Sequence, residues 1–193
     1  MIKRLFSTTK PSFQKNYFEL FPSTFPKSKN SSPFNLFKVD SKKLRKEYRS
    51  LQAIHHPDKV QNQDFEQNQE DDFSNLLNRA YTQLKSPLNR SQYILNLNGI
   101  NLSKDDNIIN NEILMEILTI NEKLENIENE SELEELQIQN DNKIKELTTK
   151  LEKLFELNQL DKAAQTTINL KYYENIKTSI KNWERGKPIT LTH

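Results

Sequence analysis

An all-α protein is predicted by three observations. Gly occurs only 2 times in 193 residues, and strings of tight hairpins, Rossmann turns and phosphate-cradling loops all draw on the backbone freedom that only Gly supplies cheaply. Leu, Lys, Glu, Asn and Gln dominate, a composition that suits helices and their solvated faces. Apolar residues then recur at spacings of three and four along most of the chain, the period of a helix with one buried face. At 34% hydrophobic and 28% charged, the chain is polar, so two small helical units are expected rather than one large core.

The same composition excludes several chemistries. With 2 Gly and no glycine-rich loop, nucleotide binding is not expected. There is no Cys, which removes disulfides, thiol nucleophiles and thiolate metal sites. His stands only at 55, 56 and 193, so no His-based metal site and no cofactor are expected. No apolar run approaches the roughly 20 residues of a membrane-spanning helix. The net charge of +1 is unevenly spread: residues 1–60 hold 13 Lys/Arg against 4 Asp/Glu, and the rest hold 15 against 23. The first third is the electropositive end.

The elements follow in order. Residues 1–18 read MIKRLFSTTKPSFQKNYF, with Lys3, Arg4, Lys10 and Lys15 interleaved with Ile2, Leu5 and Phe6 and no acid before Glu19. This basic, hydroxyl-rich pattern predicts a mitochondrial presequence over about residues 1–15; the alternative is a basic tail. Tyr17 to Phe21 forms a small helix stopped by Pro22, and the Ser, Pro, Lys and Asn of 23–33 form a loop. Asp40-Ser41 caps a helix running to about His55. Leu44, Tyr48, Leu51 and His55 are its buried stripe, and Lys42, Lys43, Arg45, Lys46 and Arg49 lie largely on the other faces. Pro57 ends it by pushing His56 out of the α region.

Residues 60–69 read as polar loop, and Glu70, Asp71 and Asp72 place acid at the start of the next helix, where its dipole favours them. That helix carries Phe73, Leu77, Ala80 and Leu84 on one face, and antiparallel packing against the first helix buries both stripes. Ser86-Pro87 starts a short helix to about Leu97, ended by Asn98-Gly99. A linker over 99–110 follows. Three helical segments then run from Asn111 to Ile127, Ser131 to Leu157 and Asp161 to Trp183. Ser131 and Glu134 read as a capping box, and Asp161 as the cap of the last helix. Leu133, Leu136, Ile144, Leu147, Leu151 and Leu154 form the seam of the middle segment. Ala164, Ile168, Tyr173, Ile176, Ile180 and Trp183 mark the last. Short loops make the three an antiparallel bundle over 111–185, with a tail over 186–193.

Between the first two helices stands His56-Pro57-Asp58. The triplet alone is weak, but its position between two antiparallel amphipathic helices, the first of them basic, resembles a J-domain. Leu77-Asn78-Arg79-Ala80-Tyr81-Thr82-Gln83-Leu84, Pro87-Leu88-Asn89-Arg90 and Tyr93 continue that resemblance, so residues 16–98 are expected to be such a domain. Ser86 stands where many J-domains have Asp. The resemblance implies docking on the ATPase domain of a DnaK-type (heat-shock 70) chaperone through His56, Pro57, Asp58, Lys42, Lys43, Arg45, Lys46 and Arg49. The basic helix would steer the encounter, and the ATP chemistry would belong to the chaperone, so the chain itself is not expected to be an enzyme. The bland alternative is that Pro57 merely stops a helix between solvated neighbours. No further ligand cluster makes His55, His56 and Asp58 a metal site, nothing supplies His56 with an orienting partner for general-base work, and no reader motif makes the basic helix a nucleic-acid binder.

The helix from Asn111 has more apolar residues than one face needs. Ile113, Ile117, Ile120, Leu124 and Ile127 complete a core stripe. At about 100° per residue, Leu114, Met115 and Leu118 fall outside it. They either pack on the first unit or form an exposed patch that takes a partner, and Tyr172 would join them. The runs YFELFPSTFP, LRKEYRSLQAIHHPD, PLNRSQYIL, ILMEILTINEKL and LKYYENIKTSIKNW resemble the HscB-type co-chaperones of iron–sulfur cluster biogenesis, in particular the fungal mitochondrial Jac-type members. The resemblance covers most of 17–183. It implies that an IscU-type scaffold protein is held by Leu114, Leu118 and Tyr172, bordered by Met115, Glu116, Thr119, Glu122 and Lys123. Thr119 and Glu116 depart from the charges at those places in near relatives. With no Cys, the chain would leave the cluster on the scaffold. The expected role is a matrix co-chaperone that stimulates the chaperone's ATPase and brings the scaffold to it. The alternatives are a J-protein with another client, a helical adaptor outside chaperone work and a metal-dependent enzyme.

Overall fold

Local capping rules and one buried arginine account for most of the architecture. The computed structural model describes residues 16–26, 36–55, 64–102 and 111–184, the side chains of 64–72 and of 112 excepted. Among the described residues the chain is all-α: a 3₁₀ turn Tyr17–Leu20, then α1 Ser41–Ile54, α2 Asp64–Lys85, α3 Pro87–Leu97, α4 Asn111–Glu125, α5 Glu130–Glu156 and α6 Leu160–Lys181. None of the described helices is long and apolar enough to cross a membrane. The expected presequence, the tail over 186–193 and most of the linker lie outside the described residues.

The Asp40 side chain accepts from the Lys42 and Lys43 amides at 2.9 and 3.1 Å, which fixes the start of α1. Antiparallel pairing of α1 with α2 is visible in the contact order. His55 meets Phe73 edge-on at 4.6 Å, Gln52 bonds the Ser74 carbonyl and Asn78, and Tyr48 stacks on Tyr81 at 4.1 Å. Glu47 accepts from both the amide and the hydroxyl of Thr24 and from the Ser23 amide, tying the N-terminal turn to α1. Tyr17 stacks on Tyr93 of α3 at 4.8 Å, and the Tyr93 hydroxyl receives the Tyr17 amide at 3.0 Å.

Three expected helix starts shift. α2 begins at Asp64, not near Glu70. No Gly or Pro interrupts 61–85, and Asp64 and Glu66 already suit the first turn. α5 is capped by Asn129, whose side chain accepts from the Glu132 amide at 3.0 Å, while Glu132 bonds the Asn129 side chain in return. The capping pair is therefore Asn129/Glu132 rather than Ser131/Glu134. α6 starts at Leu160 after Gln159, which makes no side-chain cap; Asp161 lies inside the first turn. The cause sits one residue earlier. Asn158 adopts φ 53°, and the Gln159 and Asn158 amides close on the Leu154 and Phe155 carbonyls. This left-handed C-terminal motif fixes where the chain turns. The same motif ends α3, with Gly99 at φ 80° and the Ile100 amide on the Leu95 carbonyl at 3.0 Å. There the expected Asn98-Gly99 stop and the Ser86 cap, which accepts from the Asn89 amide, are both present.

The apolar core is continuous from Phe18 to Ile180, so the two helical groups pack on each other. Phe37, just before α1, stacks on Phe155 of α5 at 5.0 Å, and α3 packs on α6. Arg90 sits in this seam, almost fully buried. Its Nε donates to the Phe37 carbonyl at 2.7 Å, its Nη1 donates to the Leu84 carbonyl, and its guanidinium lies over the Phe37 ring. Burial pulls its pKa down to about 10, with Glu152 acting the other way, so it stays charged at neutral pH. Arg90→Met keeps the apolar stem but leaves two buried carbonyls unpaired. Each such group costs about 1–3 kcal/mol, so chemical denaturation should show a loss of roughly 2–5 kcal/mol. A loss below about 1 kcal/mol would mean that the seam does not depend on Arg90.

Candidate binding surfaces

On α1, Leu44 is fully buried, and Tyr48, Leu51 and His55 are partly covered by α2 and its neighbours. That orientation turns Lys42, Lys43, Arg45, Lys46 and Arg49 to solvent. No ion pair joins any of the five to another described residue. His55 is the C-cap of α1, its amide bonding the Leu51 carbonyl at 3.0 Å. His56, Pro57 and Asp58 follow directly and lie outside the described residues. Ile54, one turn-end earlier, is 66% exposed. The sequence pattern did not single it out, although it falls off the Leu44–Tyr48–Leu51 stripe.

On α4 the core stripe is as spaced: Ile117 and Leu124 are buried, and Ile113, Ile120 and Ile127 pack against the core. Leu114, Met115 and Leu118 are 41%, 64% and 47% exposed. Glu116, Thr119, Glu122 and Lys123 are exposed on the same helix, and the Thr119 hydroxyl donates back to the Met115 carbonyl at 2.9 Å. Tyr172 stands on α6, against which α4 packs, and is partly buried. Two apolar side chains one turn apart, ringed by polar ones, can anchor a protein partner. No described group of three or more His, Asp and Glu is placed to hold a metal.

Behind this face lies a feature that the apolar periodicity passed over. Asn140 occupies the seam of α5 between Leu136 and Ile144, is 4% exposed, and donates from Nδ2 to the Tyr173 carbonyl at 3.0 Å. A polar residue at a seam position was the available signal. Tyr173 is 1% exposed. Burial, and then the facing Glu116 carboxylate, raise its phenol above the ordinary range.

Residues 109–181 match the family described as the HSCB C-terminal oligomerisation domain. The mitochondrial J-type co-chaperone JAC1 of Saccharomyces cerevisiae is 34% identical over 94% of this chain and 95% of its own length. Among solved structures, Jac1 from the same yeast superposes with a TM-score of 0.73 at 31% identity, over 91% of this chain and all of that one. Human co-chaperone HscB superposes at 0.76 with 30% identity, over 94% and 91% of the two chains.

Proposed function

The chain belongs to the HscB/Jac1 family of J-type co-chaperones, and on that premise we propose that it stimulates the ATPase of a DnaK-type (heat-shock 70) chaperone and brings an IscU-type iron–sulfur scaffold protein to it, aiding cluster transfer. The observation that carries the cargo half is the uncovered pair Leu114 and Leu118, apolar side chains left in water by an otherwise closed helical group. The chaperone half is supported by the exposed basic face of α1 leading straight into His56-Pro57-Asp58. In this reading residues 16–98 are the J-domain and 111–185 the scaffold-binding bundle. Residues 1–15 carry the chain into the mitochondrial matrix; fractionation that leaves it outside the matrix contradicts that location.

The division of labour follows from the chemistry of each face. Exposed Lys and Arg act beyond contact distance, so they raise the encounter rate with an acidic partner, and salt screens them beyond a Debye length of about 8 Å at physiological ionic strength. His56, Pro57 and Asp58 would then make the contacts that differ between the chaperone's two states, which is what allows a partner to shift its hydrolysis. Holding the scaffold on the same body raises its local concentration beside the chaperone without any new contact.

The steering part is tested by salt. Arg45→Glu with Arg49→Glu should raise the concentration needed for half-maximal ATPase stimulation by about tenfold at low ionic strength, with little change in maximal stimulation. The unmodified chain should weaken as salt rises, and the double variant should weaken far less. Equal salt dependence of the two would remove α1 from the docking face.

A further inference from the structure

α4 and α5 each pack along α6, and a groove runs between them on the other flank of α4 from Leu114 and Leu118. It consists of two clefts in line, of about 380 and 300 Å³, which share Lys123 of α4 and Leu136 and Gln139 of α5. Ile120 and Ile127, both half-buried, form its apolar floor with Leu136. The α4 lip is made of Glu116, Thr119 and Lys123, all exposed, and the facing α5 lip of exposed Glu135 and Gln139 with Lys143 beside them.

The α4 lip is not a separate surface from the proposed scaffold contact. At about 100° per residue, Leu118, Met115, Thr119, Lys123 and Glu116 succeed one another round the outer side of α4. The last three border the scaffold contact and also form the near wall of the groove. A partner that covers Leu114 and Leu118 and reaches these residues stands at the groove mouth, with α5 facing it.

We propose that α5 supplies a second wall of the scaffold site: a loop of the scaffold protein inserts an uncharged, apolar side chain between α4 and α5, over Ile120 and against Gln139. The inference rests on the scaffold reading above and extends its footprint from one helix to two. The lips set the chemistry. They carry both signs, Glu116 and Glu135 against Lys123 and Lys143, so a charged tip of either sign would lose water over an apolar floor and meet a like charge. Water wets the lips but finds no polar partner over the two isoleucines. An apolar tip gains burial there and leaves the charged lips solvated around it, the arrangement of an interface core and its rim.

The chain has no Cys, so Gln139→Cys places a single thiol in the middle of the groove, and Glu134→Cys places one on the far side of α5 as a control. Saturating scaffold should slow maleimide labelling of the Gln139→Cys chain by about tenfold or more and leave the Glu134→Cys chain within about twofold, read by mass spectrometry on this chain's own peptides. Gln139→Trp fills the groove from an exposed position, so calorimetric titration should show scaffold affinity weakened about tenfold with the unfolding midpoint unchanged. Neutralising the α5 lip with Glu135→Gln and Lys143→Gln should change affinity by less than about threefold. Equal labelling with and without scaffold, or full affinity in Gln139→Trp, overturns the second wall and leaves the Leu114–Leu118 contact standing. A salt-dependent loss of more than about tenfold on neutralising the lip overturns the apolar tip. Protection of the Gln139→Cys thiol that grows with the concentration of this chain alone overturns the scaffold as occupant in favour of a second copy. If the unmodified chain does not bind the scaffold, both readings fall.

Discussion

His56→Gln leaves the chaperone's ATPase at its basal rate at every concentration of the variant, while its affinity for the scaffold protein is unchanged. Leu44, Tyr48, Gln52 and His55 join α1 to α2, and the substitution leaves all four in place. Gln is neutral, of similar reach and compatible with a polar loop, so folding stability should move by less than about 0.5 kcal/mol. The basic face of α1 is intact, so the variant should still meet the chaperone and compete weakly with the unmodified chain. What it loses is the contact that separates the chaperone's two states. A single-turnover ATPase assay over a concentration series reads this directly. Stimulation within twofold of normal would mean that His56 is a bystander to a basic docking helix.

The second large effect lies more than one helix away. Leu114→Ala, Leu118→Ala and Tyr172→Ala together should weaken scaffold binding by about a hundredfold and leave ATPase stimulation in the absence of scaffold untouched. The size follows from burial. Leu114 and Leu118 are 41% and 47% exposed, so each has about half of its burial energy left to gain, on the order of 1 kcal/mol apiece. Anchors at the centre of an interface usually exceed such area-based figures, and the tyrosine adds a third. Tyr172 is partly buried, and its removal alone costs some stability, so Leu114→Ala with Leu118→Ala is the cleaner variant. It should melt like the unmodified chain and still bind at least tenfold more weakly. Full scaffold affinity in the triple variant, by calorimetric titration, would contradict the cargo half of the account.

Much of this was legible in the residue pattern because helices declare themselves locally. Stripes at three- and four-residue spacing fixed α1, α4 and α6 to within a few residues, and Pro87 after Ser86 and Gly after Asn98 marked both ends of α3. Leu114, Met115 and Leu118 stood out because they fall off a stripe that was already complete. The misses have physical reasons. In Asn129-Glu130-Ser131-Glu132-Leu133-Glu134 two capping pairs overlap, and Asn and Ser cap about equally well, so composition cannot choose between them. The start of α2 was misplaced because the densest acid run, Glu70 to Asp72, is not the first acid of the helix. The joining of the two helical groups was hidden for a deeper reason. Arg90 bonds a carbonyl 53 residues away, and periodicity reports which face is buried, not what buries it. Asn140 was visible as a break in the α5 seam, but only the packing of α6 shows what its amide holds.

The central claim is that one chain must carry both surfaces at once. The most direct measurement loads scaffold onto the chaperone in the presence of ATP and quantifies the scaffold captured. It compares the unmodified chain, the His56→Gln variant, the Leu114→Ala/Leu118→Ala variant, and an equimolar mixture of the two variants. Capture by the unmodified chain, with neither variant nor their mixture restoring it, is the predicted result. Recovery of normal capture by the mixture would show that the two surfaces work from separate molecules and would contradict the account.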